Sequence, residues 1–157
     1  MSKHQAQVLV QWNGSFGGAG AIDSNGFKTS ISLPKEFGGS GQGASPEDLL
    51  LSSIASCHLI TLGIILSKNE VQYQSLSVEG KLITETAYPP AIEEVVLTLR
   101  IVTEISLEEI ERLATKVDYF CLIGKVLKSD LKKTIHIIRQ SPASLTQTTS
   151  ASASIGF

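Results

Sequence analysis

The stretch from Ser45 to Lys68, SPEDLLLSSIASCHLITLGIILSK, decides how the rest of the chain is to be arranged. It opens with the marks of a helix start. Ser45 is suited to accept from backbone N–H groups as the N-cap, and Pro46 fits the first helical position, where its missing donor costs nothing. Glu47 and Asp48 follow where the positive end of the helix dipole favours acids. Between Ile54 and Leu66 the apolar residues Leu59, Ile60, Leu62, Ile64 and Ile65 cover several faces. This pattern predicts one helix running to about Lys68 and buried on most sides, within the domain or between subunits.

Upstream of this helix, Pro34 to Gly43 (PKEFGGSGQG) reads as a glycine-rich loop. Before it, apolar residues alternate at Val8, Val10 and Trp12, the period of a strand with one buried face. Asn13-Gly14 and Asn25-Gly26 signal turns, and Phe27, Thr29, Ile31 and Leu33 resume the alternation. The opening third therefore predicts a meander of antiparallel strands. Downstream, Val71 to Thr86 and Ile92 to Thr103 alternate again, separated by Tyr88-Pro89-Pro90, which cannot sit in a central strand. Ser106-Leu107-Glu108-Glu109 is a capping box for a second helix through Ile110, Leu113, Ala114 and Val117. Cys121 falls near its end, and Cys121 to Lys128 (CLIGKVLK) has the composition to restart a helix. Ile135 and Ile137 suggest a closing strand. The order is βββ-α-ββ-α(α)-β, an α+β fold with an antiparallel sheet on a long buried central helix. No repeat or linker interrupts it, so residues 1–140 are expected to form one domain and 141–157 a low-complexity tail.

Composition narrows the function. With 42% hydrophobic and 18% charged residues, the 157-residue chain is globular rather than disordered. Its net charge of −2, with 13 lysines and arginines spread out, gives no basic field for nucleic acid. No apolar run reaches the roughly 20 residues of a membrane span. MSKHQAQVLVQW at the start has no apolar signal core, so a cytoplasmic location without membrane partners is expected. Two cysteines are too few for a disulfide scaffold; in a reducing compartment they are reactive, metal-binding or simply buried.

Cys57 lies in the middle of the apolar helix, where a cysteine is most often a small buried hydrophobe. Cys121 follows 64 residues later on the next helical element. Two such cysteines can meet at disulfide distance, and spacing alone leaves both readings open. His58 is adjacent to Cys57, but helical neighbours point about 100° apart, so a solvated or packing role suits it better than thiol activation. No zinc ligand set has the required spacing. Gly43-Ala44-Ser45-Pro46 lacks the lysine of a phosphate loop, and no Ser-His-Asp motif is visible. Glu47 by itself is explained by the helix dipole.

SPEDLLLSSIASCH (Ser45 to His58) resembles the active-site helix of the OsmC/Ohr family of organic hydroperoxide reductases, with the cysteine ten residues after the glutamate. LPKEFGGSGQG resembles the loop of the Ohr branch, and Trp12-Asn13-Gly14 the first hairpin in the OsmC manner. Cys121-Leu122-Ile123-Gly124-Lys125-Val126-Leu127 resembles the second-cysteine motif, usually Cys-Pro-Val/Ile-Ser-Lys-x-Leu, departing from it at Leu122 and Gly124. The resemblance covers roughly Gln5 to Arg139. It implies a cysteine-based peroxidase without cofactor or metal. Cys57 would attack an organic hydroperoxide, Cys121 would resolve the sulfenic acid as a disulfide, and a dithiol of lipoyl or thioredoxin type would reset the pair. It also implies an arginine held by Glu47. Arg100, Arg112 and Arg139 all lie beyond the expected segment; Gly17 and Gly18 occupy the Ohr position, and Lys35 is the nearest cation on the OsmC pattern. Glu47 and Cys57 are separated by about 15 Å of helical rise, so the resemblance, which puts both in one site, implies an intertwined homodimer. A non-enzymatic redox sensor or small-molecule-binding module on the same fold is the alternative.

Overall fold

The protein, described by a computed structural model, is defined over residues 3–87, 89–127 and 131–145. It divides into two compact units, residues 1–50 and 51–157. In the first, strands β1 (Val8–Asn13), β2 (Ala19–Ser24) and β3 (Lys28–Ile31) form an antiparallel meander in that order. Residues 14–18 join β1 to β2, with Gly14 at φ +99° and Gly18 N–H donating to the Ser15 carbonyl at 2.9 Å, so the turn falls just after Asn13-Gly14. Asn25-Gly26 turns β2 into β3, closed by Ser24 N–H donating to the Phe27 carbonyl at 3.0 Å. The loop that follows holds a 3-10 turn at Lys35–Phe37. It folds so tightly that a Cβ on Gly39 would lie 2.0 Å from the Leu33 carbonyl oxygen, a position only glycine can fill.

Helix α1 (Pro46–Lys68) begins in the first unit and continues through the second. Ser45 is the expected N-cap, its Oγ accepting from Asp48 N–H at 3.0 Å, and Asp48 does more than meet the dipole, its Oδ2 accepting from Ser45 N–H at 2.9 Å. The second unit adds β4 (Tyr73–Glu85), β5 (Ala91–Thr103), α2 (Leu107–Ala114), α3 (Val117–Phe120), β6 (Lys132–Gln140) and a final turn, α4 (Pro142–Leu145). The observed order is the expected α+β arrangement. Ser106 caps α2 by accepting from Glu109 N–H at 3.2 Å.

Strand β5 is the centre of the sheet β4-β5-β6. Val95, Leu97, Leu99 and Ile101 are at most 1% exposed, while Arg100 is exposed, so one face of the pleat is the core face. Leu62, Ile65 and Leu66 of α1 meet Leu99, Ile101, Ile110, Leu113, Val117 and Cys121 there. Gly80 lets α1 approach β4 closely, since a Cβ at this position would be 3.0 Å from Leu51 Cδ1.

Several expectations are corrected. β4 and β5 are antiparallel, but β6 runs parallel to β5, so this sheet is mixed. A parallel neighbour needs a long crossover, and α2 and α3 supply it. Helix α1 buries a single stripe within the chain (Ile54, His58, Leu62, Ile65 and Leu66), leaving Ile60 62% and Ile64 51% exposed. It is also long and apolar enough to cross a membrane, with a mean hydropathy of 2.1 over its most apolar window. Its serines and His58 break a strict apolar run without lowering that average much, and a soluble core helix passes the same test. β1 has no buried face: all six residues are exposed. Cys121 onward does not restart an α-helix but makes one 3-10 turn at Gly124–Val126. Lys128, Tyr88 and residues 146–157 of the expected tail lie outside the described residues.

Candidate active site

Helix α1 carries Cys57 on its inner side, packed against the core cluster that includes Cys121. Cys121 terminates α3: its N–H donates to the Val117 carbonyl at 2.7 Å, and its own backbone turns extended at φ −68°, ψ 108°. That change of direction sends residues 122–126 into the turn beside the two thiols. Cys57 is half-buried, Cys121 is 3% exposed, and both are free. The Cys121 thiol donates to Cys57 Sγ across 3.2 Å. Closing this pair to a bond of about 2.05 Å requires the sulfurs to approach by about 1.2 Å.

The two thiols are electrostatically unequal. Burial pushes the Cys57 thiol up, but hydrogen bonds from the Ile123 backbone, the Cys121 thiol, the Leu122 backbone and the Thr61 side chain outweigh it, and the net direction is below the ordinary 9.0. Cys121 goes the other way, raised first by burial and then by the hydrogen bond its thiol donates to Cys57. Gly124 N–H, donating to Cys121 Sγ at 3.3 Å, and the more distant charge of Lys133 offset part of that. Such a pair favours a thiolate at Cys57 beside a protonated Cys121.

His58 is 2% exposed and makes no hydrogen bond through Nε2 among the described residues. Burial lowers its pKa, as does Lys133, against the opposing charge of Asp118. Lys133 and Asp118 form an ion pair with each other. Glu47 and Lys35 stand in the first unit. Glu47 Oε2 is buried without a hydrogen-bond partner among the described residues, and Lys35 is exposed, its side chain lying over Gly41. The three arginines have other work: Arg100 pairs with Glu79, Arg112 with Glu109, and Arg139 donates to the Glu104 and Ile105 carbonyls. No three of His, Cys, Asp and Glu gather as a metal cage among the described residues.

Sequence reasoning missed Thr61, Leu122, Ile123 and Lys133. Thr61 is four residues after Cys57, on the same helical face, and that spacing was a usable signal. Leu122 and Ile123 bear on the Cys57 thiol through the backbone, which no side-chain pattern reveals.

The profile of the OsmC-like protein family matches residues 39–136, a span that holds α1, both cysteines and most of the second sheet. The chain belongs to the OsmC-like family. Its OsmC/Ohr character extends to known folds. A hypothetical protein of Aquifex aeolicus VF5 superposes with a TM-score of 0.73 at 16% identity, over 88% of this chain and 98% of that one. An organic hydroperoxide resistance protein OsmC of Legionella pneumophila gives 0.71 at 18%, over 86% and 98%. OhrB of Bacillus subtilis, an organic hydroperoxide resistance protein, gives 0.66 at 19%, over 84% and 98%. At those identities the likeness is one of fold. The uncharacterized protein YmaD of Bacillus subtilis (strain 168) is 33% identical over 81 residues, 52% of this chain. The chain spans about half the length of that relative, 54%.

Proposed function

We propose that this OsmC-like protein is a thiol peroxidase for organic hydroperoxides, with Cys57 as the nucleophile and Cys121 as the resolving thiol. The observation that carries the reading is the 3.2 Å contact in which the Cys121 thiol donates to Cys57 Sγ. A peroxide-related redox role is what the family and its neighbours named for hydroperoxide resistance support. In the first step the Cys57 thiolate attacks the distal peroxide oxygen. An S–O bond forms, the O–O bond breaks, and the alkoxide leaves as the alcohol after taking a proton. Sulfur loses two electrons and becomes a sulfenic acid. Cys121 then condenses with it, forming the S–S bond and releasing water, before oxidation reaches the irreversible sulfinic stage. A dithiol supplies two electrons and two protons to restore both thiols and leaves as its own disulfide.

The remaining roles belong to the same proposal. Glu47, with a buried and unpartnered carboxylate oxygen, would find its counterpart across a homodimer, and Lys35 is the cation available on the OsmC pattern. The test is turnover of cumene hydroperoxide with a lipoyl or thioredoxin-type reductant. Wild type is expected to cycle, Cys57→Ser to lose activity by more than about a thousandfold, and Cys121→Ser to oxidise once and stall. Multiple turnovers by Cys57→Ser would overturn the assignment, and one stoichiometric oxidation of the wild type with every reductant would favour a sensor instead.

A further inference from the structure

Three features stand outside the thiol pair: an apolar hollow in the first unit beside Trp12 and Phe16, the exposed apolar side chains that flank Cys121, and the ion pair of Asp118 with Lys133. The hollow and the flanking side chains carry nothing that names an occupant. The ion pair is tied to the thiols by its place in the fold. Asp118 lies on α3, three residues before Cys121 and next to Val117, which is 0% exposed in the core cluster. Lys133 lies on β6, in the same row of the pleat as Ile135 and Ile137, and those two pack against the cluster that contains Cys121. Its side chain is 25% exposed, and its ammonium donates to Asp118 Oδ1. A charge drawn that far out of water needs a partner, and α3 supplies one. The element that ends in the resolving cysteine is thus fastened to the sheet at one point by charge.

We propose that Lys133, anchored by Asp118, is a positioning residue for the resolving thiol, holding the end of α3 against β6 and lending Cys121 a positive charge when the disulfide closes. This role rests on the peroxidase reading for its place in the cycle and deepens it. Closure begins with the Cys121 proton. The thiol is 3% exposed, burial resists its ionisation, and the thiolate is the form that attacks. Its sulfur then bonds to Cys57, the S–O bond of the sulfenic acid breaks, and the hydroxide leaves as water with the released proton. A cation near the sulfur favours ionisation. The charge of Lys133 acts on Cys121 in that direction, whereas Cys57 answers to burial and to its hydrogen bonds. The other surroundings of Cys121 offer no competing cation among the described residues. From α1 come Cys57 and the buried, neutral His58, and from β5 and α2 come Leu99, Ile101, Ile110 and Leu113. Lys125 in the following turn lies over the Tyr119 ring, 5.2 Å from its centre. Lys133 therefore serves the resolving step and leaves the attack on the peroxide untouched.

The test uses the full reduced chain and no peroxide, which separates it from the peroxidase reading. Dithionitrobenzoate, added below one equivalent, labels Cys57 in a first phase and releases one thionitrobenzoate. Cys121 then attacks the Cys57 sulfur, the S–S bond forms, and the second thionitrobenzoate is expelled. Both phases are followed by absorbance against pH, with peptide mass mapping to confirm where the label sits. Lys133→Met is expected to leave the first phase unchanged, to move the midpoint of the second to higher pH, and to slow it about fivefold near neutrality. Lys133→Arg keeps the charge and a donor for Asp118, and is expected to close as wild type. Asp118→Asn, which frees the ammonium, is expected to slow the second phase as well. An unshifted second phase in Lys133→Met, equal slowing of both phases, or no recovery in Lys133→Arg would overturn the proposal. Closure at the wild-type rate in Asp118→Asn would overturn it too. A shifted second phase in a chain that never turns over cumene hydroperoxide would leave the positioning role standing and remove the peroxidase.

Discussion

His58 follows Cys57 in the chain and has a quite different fate. At 2% exposure, with Nε2 unpartnered among the described residues, the imidazole is held neutral by burial and by Lys133. Asp118 pulls the other way without reversing the direction. The folded-state pKa therefore lies below the unfolded value of 6.5. Below 6.5 the unfolded chain takes up a proton that the folded chain refuses, so stability is fully present above this pH and falls as acid is added through the folded pKa. Denaturant midpoints are expected to drop between about pH 7.5 and 5.5 in wild type. His58→Leu, which keeps the bulk and removes the proton site, should show a smaller drop by urea unfolding. Equal drops would mean that His58 takes no part. The sequence made the adjacency to Cys57 visible and gave a sound reason to discount it. It did not reveal that the ring is buried beside an ion pair, because Lys133 and Asp118 lie on elements that only the fold brings to α1.

At the scale of elements, what was legible followed from local chemistry. Ser45 caps α1, Ser106 caps α2, and Asn25-Gly26 lies in the turn between β2 and β3. These depend on residues a few positions apart. What was not legible depends on long-range pairing: β6 alternates as an antiparallel strand would, and its parallel register with β5 is set by the crossover through α2 and α3. How much of α1 its own chain covers also depends on long-range packing. A helix apolar on several faces tells that something can cover it, not that its own chain does. The contact between Gly80 and Leu51 gives this scale its prediction. Gly80→Val is expected to cost about 1–3 kcal/mol in urea unfolding by crowding the Leu51 side chain. Leu51→Ala in the same chain should recover part of that loss. A Gly80→Val chain that unfolds at the wild-type midpoint would show that α1 and β4 tolerate a wider gap.

For the whole molecule, the apolar surface left open is large. Val8, Leu9 and Val10 of β1 are 53–59% exposed, and Ile60 and Ile64 of α1 line an open hollow of about 540 Å³ with Leu59, Gly63, Tyr73 and Leu76. Exposed apolar patches of this kind mark association surfaces. The proposed homodimer predicts a two-chain mass by sedimentation at micromolar concentration. Mixed Glu47→Gln and Cys57→Ser chains are expected to recover about a quarter of wild-type turnover, since half of random pairs then hold one intact site of two. A one-chain mass, or no recovery on mixing, would remove the shared site.

The short path between the sulfurs and the long path along the chain give the pair a second significance. Cys57 and Cys121 are 3.2 Å apart in space and 64 residues apart in sequence. A covalent link would tie β4, β5, α2 and α3 into one closed ring, restricting the unfolded chain by about 4 kcal/mol of lost entropy. Each oxidation would thus be recorded in the resilience of the fold, and each reduction would return the second unit to a looser, more readily opened form. Thermodynamic balance makes the converse equally binding. Whatever the fold gains from the link, the incoming dithiol must overcome, so the stability of this unit and the strength of reductant it requires are two readings of one quantity.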